Sequence, residues 1–278
     1  YPGIAQSIDS DVSNVGTLVK MSGMVPKGFD LAPYMEEARK QLHEETDYAR
    51  EGQHMQHFAE LLSDHRDFDV PAFYEDWSTP EILAMSYLDG APIETVAEAP
   101  QDERNRISAA LIDLTLREIF EFGVTQSDPN FANYRYNADT NTIILLDFGA
   151  TRALEPAVVG GYRALMNAGL SRDTVALKQA AIELQFIGGT GPYDDAILDM
   201  IQTVFDAVCT TEVFDFTDRS LSNEMNAKGM ALAEKGYVPP PVPMDALYIQ
   251  RKFGGMFLLG SRLGASLPVH AILQERLT

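Results

Sequence analysis

Apolar residues recur at helical spacing through residues 31–64, where Leu31, Tyr34, Met35, Ala38, Leu42, Tyr48, Ala49, Phe58, Leu61 and Leu62 alternate with polar positions. The pattern predicts one long helix, broken near Gly52. Residues 70–74 and 81–85 read as two strands, and 86–92 as a turn-rich connector. Residues 102–122 are amphipathic, with Ile107, Leu111, Leu114, Ile119 and Phe122 inward and Gly123 as the C-terminal stop. Residues 134–136 and 142–146 read as short strands flanking a turn cluster at 137–141. Beyond residue 149 the pattern predicts helices over 156–170, 171–186, 193–209, 218–235 and 244–263. A loop at 188–192 follows no strand and precedes no Lys, so it is not read as a phosphate loop. Residues 237–243 form a Pro-rich rigid connector. The apolar run 254–260, flanked by Arg251, Lys252 and Arg262, is too short to span a bilayer and reads as a core helix, with a partner or membrane surface as the alternative.

Composition narrows the classes. The 278 residues suffice for one large or two small domains, and 45% hydrophobic with 22% charged residues is ordinary for a globular protein. A net charge of -20 argues against nucleic acid or an anionic membrane engaged through a broad electrostatic face. A nucleotide remains compatible, because a divalent cation and backbone N–H groups neutralise its phosphates locally. The single cysteine, Cys209, excludes a disulfide within these residues and reads as a small buried apolar side chain of a reducing compartment. The histidines show no convincing metal-ligand spacing; His54 and His57 are three apart, on a polar stretch.

The candidate chemistry lies in Asp128-Pro129-Asn130-Phe131-Ala132-Asn133, followed fourteen residues after Asn133 by Asp147-Phe148-Gly149. D-x-x-x-x-N and then D-F-G is the spacing of a kinase catalytic loop and its metal loop. A hairpin between them brings Asn133 and Asp147 to one end, where an amide oxygen, a carboxylate and the nucleotide's phosphates make a shell for Mg²⁺. Asp128 would face the attacking hydroxyl or water as proton acceptor or orienter. Upstream, Glu44, Glu45, Asp47 and Glu51 cluster, with Asp47 and Glu51 on one helix face; in a kinase one such acid holds the nucleotide-binding Lys. Arg50 and Lys40 offer the alternative, a solvated face of paired charges. The order helix, two strands, connector matches a kinase small lobe entering its hinge, so the backbone of Met85, Ser86, Tyr87 and Leu88 would meet the adenine.

These residues resemble the UbiB family of atypical kinase-like proteins, also called aarF-domain kinases, in its coenzyme Q branch. The resemblance rests on Tyr1–Ile8, on Glu45-Thr46-Asp47-Tyr48-Ala49-Arg50-Glu51 as the E-x-D helix, on Gln126–Asn133 and Leu145–Arg152 as the catalytic and metal loops, and on Arg251–Gly255. It covers nearly the whole chain. It implies an α+β, protein-kinase-like two-lobe fold, with a partial small lobe at 1–88 and a mostly helical large lobe at 89–278. By position it implies Asp128 as the catalytic-loop acid, Asn133 and Asp147 as Mg²⁺ ligands, and Glu51 as partner of the nucleotide-binding Lys, with Phe148 and Gly149 completing the metal loop. Glu45 and Asp47 would face the family's K-x-G-Q segment, and Gln126 stands where most kinases have the His of H-R-D.

The implied cofactors are ATP and Mg²⁺. The implied partners are a lipid precursor of coenzyme Q and proteins of a biosynthetic complex, with peripheral membrane association through local or missing segments. The implied compartment is the matrix side of the mitochondrial inner membrane, or a bacterial cytoplasm. The K-x-G-Q segment, the Ala-rich nucleotide loop and the nucleotide-binding Lys are not among these residues. The expectation is a truncated chain with weak or no ATP turnover alone. The competing readings are a nucleotide-gated scaffold without catalysis and a small-molecule phosphotransferase.

Overall fold

Asp47 starts a new helix. Its side chain accepts the backbone N–H of Arg50 at 3.1 Å, so the predicted long helix divides there and not at Gly52. Gly52 instead lies buried inside the second helix, where a Cβ would sit 2.1 Å from the Phe73 ring. The structure is a computed structural model that describes residues 4–22 and 29–277. Tyr1–Gly3, part of the segment that carries the resemblance at the start of the chain, lie outside the described residues.

In chain order the elements begin with α1 (Ile4–Met21), α2 (Ala32–Glu45), α3 (Tyr48–Leu61), β1 (Phe68–Asp69) and β2 (Ala91–Pro92). There follow α4 (Gln101–Arg117), β3 (Val124–Gln126), β4 (Tyr134–Asn137), β5 (Thr142–Leu145) and β6 (Thr151–Ala153). The remainder comprises α5 (Pro156–Ser171), α6 (Thr174–Glu183), α7 (Asp194–Cys209), β7 (Phe214–Asp215), α8 (Ser220–Glu234), α9 (Met244–Leu263), β8 (Ser266–Leu267) and α10 (Val269–Leu277). These elements pack as two units, Tyr1–Ile93 with Ala132–Thr151, and Glu94–Phe131 with Arg152–Thr278.

In the first unit a four-stranded sheet runs β1-β5-β4-β2, with β1 parallel to β5 and the other pairs antiparallel. The hairpin β4-β5 pairs Tyr134 with Leu145 and Asn137 with Thr142, as the two sequence runs predict. Its turn closes on the Asn137 side chain, which accepts from the N–H groups of Asp139 and Thr140. Phe58 of α3 packs on Phe148 with ring centroids 5.2 Å apart. Asp9 of α1 meets Arg39 and His43 of α2 at 3.3 and 3.1 Å.

Two predicted strands are less regular than expected. Residues 70–74 and 81–85 join through the isolated bridge Phe73↔Met85 and a few bonds, among them Tyr74 N–H to Ala84 O and Ser86 N–H to Ala72 O, and form no regular ladder. Pro71 supplies no N–H, and a 3₁₀ turn at Glu75–Trp77 interrupts the run. The predicted connector ends in β2, whose Ala91 pairs with Tyr136.

The second unit is a helical core. Leu116, Ile119, Leu165, Leu177, Ala181, Leu184 and Ile249 are buried together, contributed by α4 and the turn that follows it, α5, α6 and its C-cap, and α9. The helix of 102–122 loosens at its end into a π-helical turn, Glu118–Phe122, and stops at Gly123 with φ +67°. Only a residue at ease in the left-handed region fits that stop. Helix α9 forms as predicted, and no helix among the described residues is long and apolar enough to cross a membrane. The pairing β7-β8 and helix α10 were not foreseen from the sequence. Cys209 is half-buried at the end of α7, like the rest of the helix's last turn, and so is not fully enclosed as expected.

Candidate functional site

In the first unit the hairpin sets the metal-loop geometry. The Leu146 N–H donates to the Asn133 carbonyl at 3.0 Å, one step beyond the Tyr134–Leu145 pair. Asn133 and the start of Asp147-Phe148-Gly149 therefore stand at the same end of the hairpin, as the spacing predicts. Asn133 is buried, Asp147 half-buried, and the Asp147 carboxylate accepts the Gly149 N–H at 3.0 Å.

Helix α3 adds the third polar group. Glu51 Oε1 accepts the Phe148 N–H at 3.3 Å. A Cβ built on Gly149 would lie 3.5 Å from Asp147 Oδ1 and 3.6 Å from Glu51 Oε2, so the two carboxylates close on one small space. Burial, then the Asp147 charge, push the Glu51 carboxyl up to about 7; the Phe148 N–H opposes this and Glu45 adds to it. Both charges that raise it, Asp147 and Glu45, are negative.

Arg50, considered from the sequence as a partner for the acids, does something more specific. Its guanidinium donates to the carbonyls of Gly149 at 3.2 Å and Thr151 at 2.9 Å, clamping the metal loop to α3, while Glu44 lies 3.7 Å away. Lys40 reaches Glu44 only at 4.0 Å. Asp47 spends its side chain as the cap of α3, and exposed Glu45 accepts from Gln41 at 3.0 Å. Of the four residues expected to meet adenine, Ser86 has its N–H on Ala72 O and its hydroxyl accepting from Ala72 N–H at 2.9 Å. Met85 and Tyr87 are exposed and Leu88 half-buried.

The donor set fits a hard cation that keeps other ligands. Asp147 and Asn133 offer oxygens, and among the described residues no three His, Cys, Asp or Glu gather to hold an ion by themselves. A metal that retains water and phosphate ligands, as Mg²⁺ does, suits such a site better than a zinc or a caged calcium.

In the second unit, β3 leads into Asp128. The Asp128 carboxylate is half-buried and receives Arg251 of α9 at 2.8 Å. Gln126 is 5% exposed, and neither its Nε2 nor its Oε1 has a protein partner. Its backbone is firmly held. The Gln126 N–H donates to Glu118 at 3.2 Å and its carbonyl accepts from Lys252 at 2.9 Å. Glu118 and Lys252, each 2% exposed, form a buried ion pair at 3.1 Å, with the Thr125 hydroxyl donating to Glu118 at 2.7 Å. Sequence reasoning treated Arg251 and Lys252 as basic flanks. The available signal was that Lys252 falls on the stripe Ile249, Met256, Leu259, Leu263, where an apolar residue is expected.

The ABC1 atypical kinase-like domain matches residues 1–181. The chain belongs to the UbiB family. UbiB relatives include the atypical kinase COQ8, mitochondrial, of Saccharomyces cerevisiae, 35% identical over 99% of this chain and 55% of the relative. The atypical kinase COQ8B, mitochondrial, of Rattus norvegicus is 34% identical over 99% of this chain and 52% of the relative. The chain thus spans about half the length of the curated relatives it matches. A solved structure of Rv3197 with erythromycin, from Mycobacterium tuberculosis, superposes with a TM-score of 0.76 over 99% of this chain and 69% of that one, at 19% identity. The UbiB chain therefore has the α+β kinase-like fold that its motifs imply.

Proposed function

We propose that the protein carrying these residues is an atypical kinase or ATPase that performs Mg-ATP-dependent phosphoryl chemistry in support of coenzyme Q biosynthesis. One observation carries the reading. Glu51 and Asp147 close on the space beside Gly149, and two carboxylates facing one small space are an arrangement suited to receiving a cation. Asp147 and Asn133 would hold Mg²⁺, which when bound neutralises the phosphate oxygens of the nucleotide. Glu51 would pair with a nucleotide-binding Lys, and the backbone of Met85, Tyr87 and Leu88 would read adenine, Ser86 having committed its N–H to Ala72. Asp128 would accept the proton of the attacking hydroxyl or water. The E-x-D acids have structural duties besides any toward a K-x-G-Q segment: Asp47 caps α3, and Glu45 adds to the field on Glu51.

The names of the COQ8 relatives support an atypical kinase of the mitochondrion, on the matrix side of its inner membrane by family resemblance. ATP is the proposed ligand, with a lipid precursor of coenzyme Q and biosynthetic proteins as proposed partners. The test is Mg²⁺-dependent turnover of ATP by the full-length protein, with product analysis for a phosphorylated acceptor. Loss of turnover on Asp128→Asn with ATP still bound supports the enzyme; ATP binding without turnover in either form replaces it with a nucleotide-gated scaffold.

A further inference from the structure

Helix α9 holds the end of β3 and the loop after it at three points. Arg251 Nη2 donates to Asp128 Oδ1 at 2.8 Å. Lys252 Nζ donates to the Gln126 carbonyl at 2.9 Å, and its ion partner Glu118 takes the Gln126 N–H at 3.2 Å. Both backbone groups of Gln126 thus end on one buried ion pair. A Cβ on Gly255 would meet Pro129 Cβ at 2.0 Å, so the helix backbone lies directly against the proline ring. Arg251, Lys252 and Gly255 fall at i, i+1 and i+4 of one helix.

We propose that α9 is the mount of the catalytic loop and that Arg251 is the positioning residue of Asp128. The inference rests on the proposed function, since it assigns Arg251 a task only if Asp128 serves the reaction. The division of labour follows from burial. Lys252 and Glu118 are buried, so they fix the backbone on either side of Gln126 as part of the fold. Arg251 is about half exposed, so its pair with Asp128 contributes little to stability and acts instead on the direction of one carboxylate. A planar guanidinium fixes that direction better than a single ammonium. Misplacing a reacting group by about 1 Å lowers turnover on the order of 100-fold.

A double-mutant cycle in the full-length protein tests this. Turnover and Mg-nucleotide affinity are measured for wild type, Arg251→Gln, Asp128→Asn and the double variant, with Arg251→Lys alongside. The expected result is that Arg251→Gln lowers kcat on the order of 10–100-fold at unchanged nucleotide affinity and melting temperature. In the Asp128→Asn background it should add nothing, and Arg251→Lys should recover part of the loss. Full turnover in Arg251→Gln, or losses that multiply in the double variant, overturns the mount while leaving the proposed function standing. If Asp128→Asn itself keeps full turnover, the proposed function fails and the inference falls with it.

Discussion

The Phe148 N–H donates to Glu51 Oε1 at 3.3 Å, tying the middle residue of the metal loop to the acid in the first turn of α3. That bond favours an ionised Glu51, yet burial and the Asp147 charge outweigh it, and the carboxyl rises to about 7. The folded chain therefore holds the proton more tightly than the unfolded chain does.

A pH dependence follows with a definite sign. The contribution of protonated Glu51 to stability is complete below the ordinary carboxyl value of 4.5 and is lost as pH rises through about 7. Glu51→Gln removes the loss, so the variant should be more stable than wild type at pH 8, by roughly 1–3 kcal/mol, with the difference shrinking toward pH 5. Thermal melts at the two pH values check it. A wild type equally or more stable than the variant at pH 8 contradicts the assignment.

Asp47 is proposed to act through its cap. Asp47→Ala should lower stability by about 1 kcal/mol, whereas Asp47→Asn, which keeps a capping oxygen, should retain most of it. Chemical denaturation of both variants separates this from a purely electrostatic role, in which the two would behave alike.

Two adjacent glycines make a paired test of the α9 contact. A Cβ at Gly255 would meet Pro129, whereas Gly254 has nothing within 4 Å. Gly255→Ala should destabilise by roughly 1–3 kcal/mol, and Gly254→Ala should be neutral or stabilising by up to about 1 kcal/mol. Equal melting temperatures would show that the helix does not press on the loop.

Lys252→Met leaves Glu118 buried without its cation. The expected destabilisation is about 3–5 kcal/mol, and Glu118→Gln combined with Lys252→Met should recover much of it. A single variant as stable as wild type would remove the buried pair from the account.

The hairpin was legible because its alternation is local: Tyr134 and Tyr136 are buried, and the turn at 137–141 is built of residues that favour turns. Asn133 and Asp147 came together for the same reason. The helix break was misplaced because Gly52 looks like a breaker in sequence, whereas its missing side chain makes room for the Phe73 ring. The actual break lies at Asp47, whose carboxylate serves as cap. Arg50, Arg251 and Lys252 were harder to read. Arg50 reaches carbonyls about a hundred residues away, and Arg251 and Lys252 reach partners more than a hundred residues upstream, so local pattern recorded only charge where the fold makes specific contacts.

Nucleotide affinity with and without Mg²⁺ tests the central claim most directly, measured by calorimetry on wild type and Asp147→Asn of the full-length protein. The account predicts that Mg²⁺ strengthens ATP binding to wild type at least tenfold, about 1.4 kcal/mol, and that Asp147→Asn abolishes this gain. Equal affinity with and without Mg²⁺, or a gain that survives Asp147→Asn, would contradict it.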